Sequence, residues 1–189
     1  TFFLTFSSRN DPPPKDKTRS FSEVIFKEVE VELLEKSKDT LDPIQKSIDA
    51  GRVALAADTL GAAQEMINKA VEYSKERKQF GAVIGTFQAL QHRAAEMYSE
   101  LELTKSSVIA ACNAVDENSN DLKRMASLAK FKAGETNYLV TNEAVQMHGG
   151  VGVTDEYDVG LYMKRARVTE QIFGNSEYHL DRYATLSDY

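Results

Sequence analysis

Gln146-Met-His148-Gly149-Gly150-Val-Gly152-Val-Thr-Asp155-Glu156-Tyr-Asp158 is the stretch on which the fold of this chain turns. Upstream of it Met125, Leu128, Ala129, Ala133, Leu139, Val140, Ala144 and Met147 recur at spacings of three and four. That period predicts a helix over 122–148 with one apolar stripe. The glycines end it, because they accept positive φ and leave backbone amides open to a close neighbour. After the acidic turn a second helical pattern runs over about 159–172, with Asp155 and Glu156 placed where negative charge complements a helix N-terminus.

Working outward, Asp42-Pro43 suits the first turn of a helix, and Ile44, Ile48, Val53, Leu60, Ile67 and Val71 continue its stripe to about Lys78, stopped by Gly81. A second long helix is predicted over about 87–115, through Leu90, Met97, Leu101, Val108 and Ala111. The polar run Asp116–Asn120 separates it from the next helix, and a short helix is expected over about 176–186. Three helices of about 40 Å with short links imply a mainly α, antiparallel bundle. Residues 1–33 differ. Phe2–Phe6 and Val24–Val31 are rich in aromatic and β-branched residues around the loop Asn10-Asp-Pro-Pro-Pro14-Lys, which predicts two or three strands. The chain begins without methionine in this apolar segment and reads as trimmed or partial.

Composition narrows the classes of function. A net charge of −6 and the absence of a dense basic run argue against a general nucleic-acid role. No apolar stretch is long enough to cross a bilayer. Thr1–Phe6 lacks the basic flank and cleavage site of a signal peptide. The single cysteine, Cys112, cannot form an intrachain disulfide and fits the cytoplasm or another reducing compartment, as a buried inert thiol. The three histidines, His92, His148 and His179, have no metal-ligand spacing, so no metal site is expected. From the residues alone the best site candidate is the glycine cluster, whose amides can meet phosphate oxygens. A helix-terminating turn with no ligand remains the alternative.

The motif pair Arg77-Lys-Gln-Phe80-Gly81 and Gln146-x-x-Gly149-Gly150-x-Gly152, with Gln88 between them, resembles the C-terminal helical domain of acyl-CoA dehydrogenases. The resemblance covers about Leu41 to Tyr183 without a gap in spacing. It implies a C-terminal helical bundle over 39–189, preceded over 1–38 by a remnant of the family's middle β domain. It also implies FAD as cofactor, held largely by a neighbouring subunit, with acyl-CoA thioesters as substrate and assembly into a homo- or hetero-oligomer through the bundle. Arg77, Phe80, Gln88, Gln146, Gly149 and Gly150 are the positions so assigned to FAD. Arg77 would offer a forked cation to the pyrophosphate or adenosine end, and the glutamines directional amide hydrogen bonds.

One departure from the family is chemical. Its usual base is a glutamate just before a glycine after the fourth helix, and here that position is Phe173, in Ile172-Phe173-Gly174-Asn175-Ser176-Glu177. The family's alternative base position precedes an arginine of the first helix, and here it is Gly51, before Arg52. Neither side chain accepts a proton. Glu170 and Glu177 are the substitutes within reach along the chain, and both read more simply as solvated carboxylates. Glu177 also stands where the family often has a flavin-contacting glutamine, and a carboxylate beside phosphate is repulsive. The segment Phe173–Leu180, with the glycine motif, resembles the small, base-lacking subunits of heteromeric acyl-CoA dehydrogenases. The resemblance therefore implies a chain that completes a FAD site while another chain supplies the base. A non-catalytic helical assembly module without cofactor is the alternative expectation.

Overall fold

The computed structural model describes residues 3–6, 24–27 and 41–189. Two short strands, β1 (Phe3–Phe6) and β2 (Val24–Lys27), pair antiparallel with Phe3 opposite Lys27 and Phe6 opposite Val24. The predicted continuation of the second strand to Val31, the proline loop and the domain boundary at 38/39 lie outside the described residues.

The rest is helical, in the predicted order: α1 (Leu41–Glu76), α2 (Gln88–Asp116), α3 (Leu122–His148), α4 (Val159–Gln171) and α5 (Ser176–Thr185). The sequence pattern did not reveal one element. After α1 the chain makes a two-residue hairpin, β3 (Lys78–Gln79) against β4 (Ala82–Val83), and a 3-10 turn at Ile84–Thr86 before α2. Strands of two residues carry no periodicity, so only the paired backbone shows them.

Helix α3 is the centre of the bundle and packs against each of the other four helices. Two apolar clusters fill it. One joins Ala63, Met66 and Ala70 of α1 to Met97 and Leu101 of α2 and Val140 and Ala144 of α3. The other joins Val53 and Ala56 to Val108 and Ala111, and to Ala126, Ala129 and Ala133. Late α1 therefore meets early α2 and late α3, which makes α1 and α3 parallel and α2 antiparallel to both. Buried alanines on all three helices let the axes approach closely. In consequence the C-termini of α1 and α3 and the N-terminus of α2 share one end of the bundle. The start of α1, the start of α3 and the α4–α5 corner share the other.

Candidate functional site

The glycine end collects the sequence motifs. Tyr73, one turn before Arg77, stacks on His148 with ring centroids 4.3 Å apart, and Tyr157 meets both rings edge-on at 5.7 and 5.3 Å. His148 is buried, and its Nδ1 donates to the Ala144 carbonyl at 2.7 Å. This aromatic knot ties the end of α1 to the end of α3, so Arg77 and Gly149 lie at the same end of the bundle. Backbone bonds fix Arg77 on both sides: its amide donates to Tyr73 O and its carbonyl accepts from Ile84 N, each at 2.9 Å. Its side chain is exposed.

The hairpin turn places Phe80 at φ 55° and Gly81 at φ 77°, the positive-φ pair of a tight primed turn. A phenylalanine at positive φ is strained, and this one stands 92% exposed, edge-on to Phe87 with ring centroids 6.3 Å apart. Gln88 is the exposed first residue of α2, and the residue before it, Phe87, gives that helix no side-chain cap. The Leu90 amide already donates to the Phe87 carbonyl at 3.0 Å, which leaves the amides of Gln88 and Ala89 at the open start of α2.

The three motif glycines do different things. Gly149 sits at φ 64° and closes α3, its amide donating to the carbonyls of Val145 and Gln146. A Cβ on Gly149 or Gly150 would meet nothing within 4 Å, so the space above this backbone is open. Gly152 is buried, and a Cβ there would lie 2.9 Å from both His148 Cβ and the Val145 carbonyl oxygen. Two glycines face outward and the third permits close packing. Gln146 is exposed beside them. On the far side of the same turn a cleft of about 610 Å³ opens between α1 and α4, lined by Lys69, Val153, Tyr157 and Leu161 among others. None of the six predicted FAD-contacting residues lines it.

The opposite end is built differently. At the α4–α5 corner Phe173 and Gly174 have φ of 61° and 107°. A Cβ added to Gly51 would stand 3.2 Å from the Phe173 ring, so the two positions expected to carry a base touch each other. Around them lies a buried polar network that the sequence did not announce. Arg52 donates through Nε to the Phe173 carbonyl (3.1 Å), through Nη1 to Asp49 Oδ1 (2.7 Å) and through Nη2 to Tyr178 Oη (3.3 Å). Asp49 is fully buried and also accepts from Arg182 Nη2 at 2.9 Å. Burial works against its charge, but Arg182 and Arg52 hold the carboxyl below its ordinary range.

Lys130 is 2% exposed, and its ammonium donates to the carbonyls of Thr169 (3.0 Å), Glu170 (3.1 Å) and Gly174 (3.1 Å). Burial pushes its pKa down to about 8, against the attraction of Glu170. His179 is fully buried, with Nε2 at 3.1 Å from the Phe173 carbonyl. A carbonyl only accepts, so Nε2 carries the proton and Nδ1 is left as a buried acceptor with no partner among the described residues. Burial, with Arg52 and Lys130 nearby, pushes the pKa of His179 down to about 4.

Glu170 is engaged in this scaffold. Its Oε1 accepts from the Ser176 amide at the start of α5 (3.3 Å), and Oε2 accepts from Gln171. Glu177 is exposed in the first turn of α5. Arg77, just past the end of α1, lies 26 positions beyond Gly51, about 39 Å at helical rise.

Motif-bearing helix ends at one pole and a buried polar corner at the other define a helical-bundle domain. Residues 41–185 match the family model for the acyl-CoA dehydrogenase C-terminal domain, and the chain belongs to that family. It is 37% identical over 172 residues to acyl-CoA dehydrogenase IpdE2 of Mycolicibacterium smegmatis, covering 90% of this chain and 50% of the relative. The solved butyryl-CoA dehydrogenase from Megasphaera elsdenii superposes with a TM-score of 0.89 at 30% identity, over 100% of this chain and 49% of the other. The ChsE4-ChsE5 complex from Mycobacterium tuberculosis gives 0.71 at 28% identity, over 75% and 39%. The chain spans about half the length of the curated relatives it matches. Family membership accounts for the mainly helical fold. No helix among the described residues is long and apolar enough to cross a membrane.

Proposed function

We propose that this chain completes the FAD site and the dimer interface of an α,β-dehydrogenase of acyl-CoA thioesters, and that the base comes from another chain. The observation that carries the reading is the Phe173–Gly51 contact. Both positions from which the family draws its base are apolar, and they pack on each other, so no carboxylate enters from either. Glu170 is already committed to Ser176 and Gln171, which argues against its recruitment as a relocated base.

The residues at the glycine end fit the cofactor. Gly149 and Gly150 leave an open backbone surface, the amides of Gln88 and Ala89 stand at the uncapped start of α2, and Arg77 presents an exposed side chain on a pinned backbone. Open amides and a forked cation together suit a pyrophosphate. Phe80 offers an exposed aromatic face, and Gln88 and Gln146 offer amide groups that orient a ring or ribose. When bound, FAD supplies the hydride acceptor for oxidation of the acyl chain. This chain's residues hold the cofactor and contribute no proton acceptor.

Reconstitution with a base-bearing acyl-CoA dehydrogenase chain tests the proposal. The purified complex should be yellow and turn over acyl-CoA, and Arg77→Ala should lower its flavin content. A colourless complex that assembles normally would instead support a helical assembly module without cofactor. Loss of turnover on Glu170→Gln or Glu177→Gln, with flavin retained, would show a relocated base and defeat the two-chain reading.

A further inference from the structure

Side chains from other parts of the bundle hold the turn between α4 and α5. Helix α4 ends at Gln171, Ile172 runs extended at φ −70° and ψ 131°, and Asn175 begins α5 by accepting from the Tyr178 amide. Between them Phe173 and Gly174 both take positive φ, which strains the phenylalanine. Such a conformation persists only where neighbouring groups over-determine it. Here Arg52 of α1 and His179 of α5 donate to the Phe173 carbonyl, and Lys130 of α3 donates to the Gly174 carbonyl.

Lys130 differs from the other two donors. Its ammonium has three N–H groups and meets three carbonyls, those of Thr169 and Glu170 at the end of α4 and that of Gly174 beyond Phe173. It therefore ties the end of the helix to the far side of the turn. Phe173, 46% exposed, lies over Gly51, where a Cβ would stand 3.2 Å from its ring. From this geometry we infer that Lys130 is the positioning residue for the side chain at 173. Its charged ammonium holds the Gly174 carbonyl, and Phe173 covers Gly51 while that bond is made.

Loss of one proton changes the count. A neutral amine offers two N–H groups and a lone pair to three carbonyls, so one carbonyl is released. Those of Thr169 and Glu170 are fixed within α4, whereas Gly174 has a glycine's freedom at φ 107°, so the turn gives way. Phe173 then moves off and uncovers Gly51. Burial pushes the pKa of Lys130 down to about 8 from an ordinary 10.5, so the unfolded chain holds this proton more tightly than the folded one. Raising the pH through 8 therefore costs no global stability through Lys130, and the change stays local. The other charged and titratable groups of the corner are Asp49 and Arg52 of α1, Glu170 of α4, and Tyr178, His179 and Arg182 of α5. Carboxylates and guanidiniums ordinarily keep their charge between about pH 7 and 9.5, and His179 titrates far below, which leaves Tyr178 as the group to control for. The inference rests on this corner alone and holds whether or not flavin binds at the glycine end.

Fluorine NMR of the full chain labelled with 4-fluorophenylalanine tests this, the Phe173 signal among nine being identified by its loss in Phe173→Leu. The isotope shift of that signal between H2O and D2O, which measures solvent exposure, should rise with pH in one step whose midpoint lies near 8. Far-UV circular dichroism should stay constant across the step. Lys130→Met, which cannot donate, should show the uncovered state at every pH. Lys130→Arg, which keeps its charge, should show the covered state throughout, and Tyr178→Phe should leave the step as in the parent. If either Lys130 variant loses helicity, the titrations of the parent and of Tyr178→Phe decide the question. A Phe173 signal that does not move between pH 7 and 9.5, a step that survives in folded Lys130→Met, or a step that vanishes in Tyr178→Phe would overturn the proposal.

Discussion

The two ends of the bundle invest their polar groups in opposite ways. At the glycine end Arg77, Gln88 and Gln146 stand exposed, the backbone of Gly149 and Gly150 is open, and an aromatic is held out at positive φ. At the base end Asp49, Arg52, Lys130 and His179 are buried and spend their hydrogen bonds on one another and on the α4–α5 corner. Exposed polar groups are hydrated and remain free to meet a ligand, whereas buried ones bonded to one another hold a shape. Polar residue types alone do not tell the two apart.

The strongest way to break this contrast is to attack the buried network. Asp49→Asn leaves Arg52 and Arg182 without their shared carboxylate, and should destabilise the chain by about 3–5 kcal/mol. The midpoint of urea unfolding followed by circular dichroism measures it. A small shift would mean that the network is not structural.

Acid should reach the same end next. The folded pKa of His179 is held down to about 4, below its ordinary 6.5, so the unfolded chain binds this proton more readily. Its contribution to stability is intact above pH 6.5 and is lost as pH falls from 6.5 to 4, by roughly 3 kcal/mol over that window. Urea midpoints at pH 7 and 4.5 should therefore differ less in His179→Gln than in the parent chain. Equal pH dependence in the two proteins would remove His179 as the cause.

At the glycine end the expected signature is binding without stability. Arg77→Ala should weaken FAD by about 1.5–3 kcal/mol, the value of a charge-assisted hydrogen bond, and leave the urea midpoint of the free chain unchanged. Flavin titration of the reconstituted complex and unfolding of the free chain read the two halves of that statement. The smallest effects separate the neighbouring glycines. Gly149→Ala forces alanine to φ 64° and should cost about 1 kcal/mol, while Gly150→Ala, with open space at its Cβ, should stay within roughly 0.5 kcal/mol.

Much of the bundle was legible because its helices carry their own period. Each of the five predicted helices forms within a residue or two of its expected bounds. The motif positions were legible too, since Arg77, Gln88 and Gln146 all lie at helix ends that the pattern locates. The hairpin that displays Phe80 was not, because two-residue strands leave no periodic trace. Asp49 and Lys130 were also missed. Each occupies an ordinary polar position in a helix, and nothing local says that one meets two arginines and the other three carbonyls.

The sequence by itself determined the helices, their order, and the chemistry available at their ends, because those follow from local period, glycine placement and residue type. Tertiary structure alone decided which ends meet. Arg52 and Phe173 lie 121 residues apart, yet the bundle joins them through a hydrogen bond and sets Phe173 against Gly51. Only packing determines that two apolar residues fill one corner, or that a lysine is buried among carbonyls. Such contacts depend on the relative placement of whole helices, which the period of any single helix does not encode.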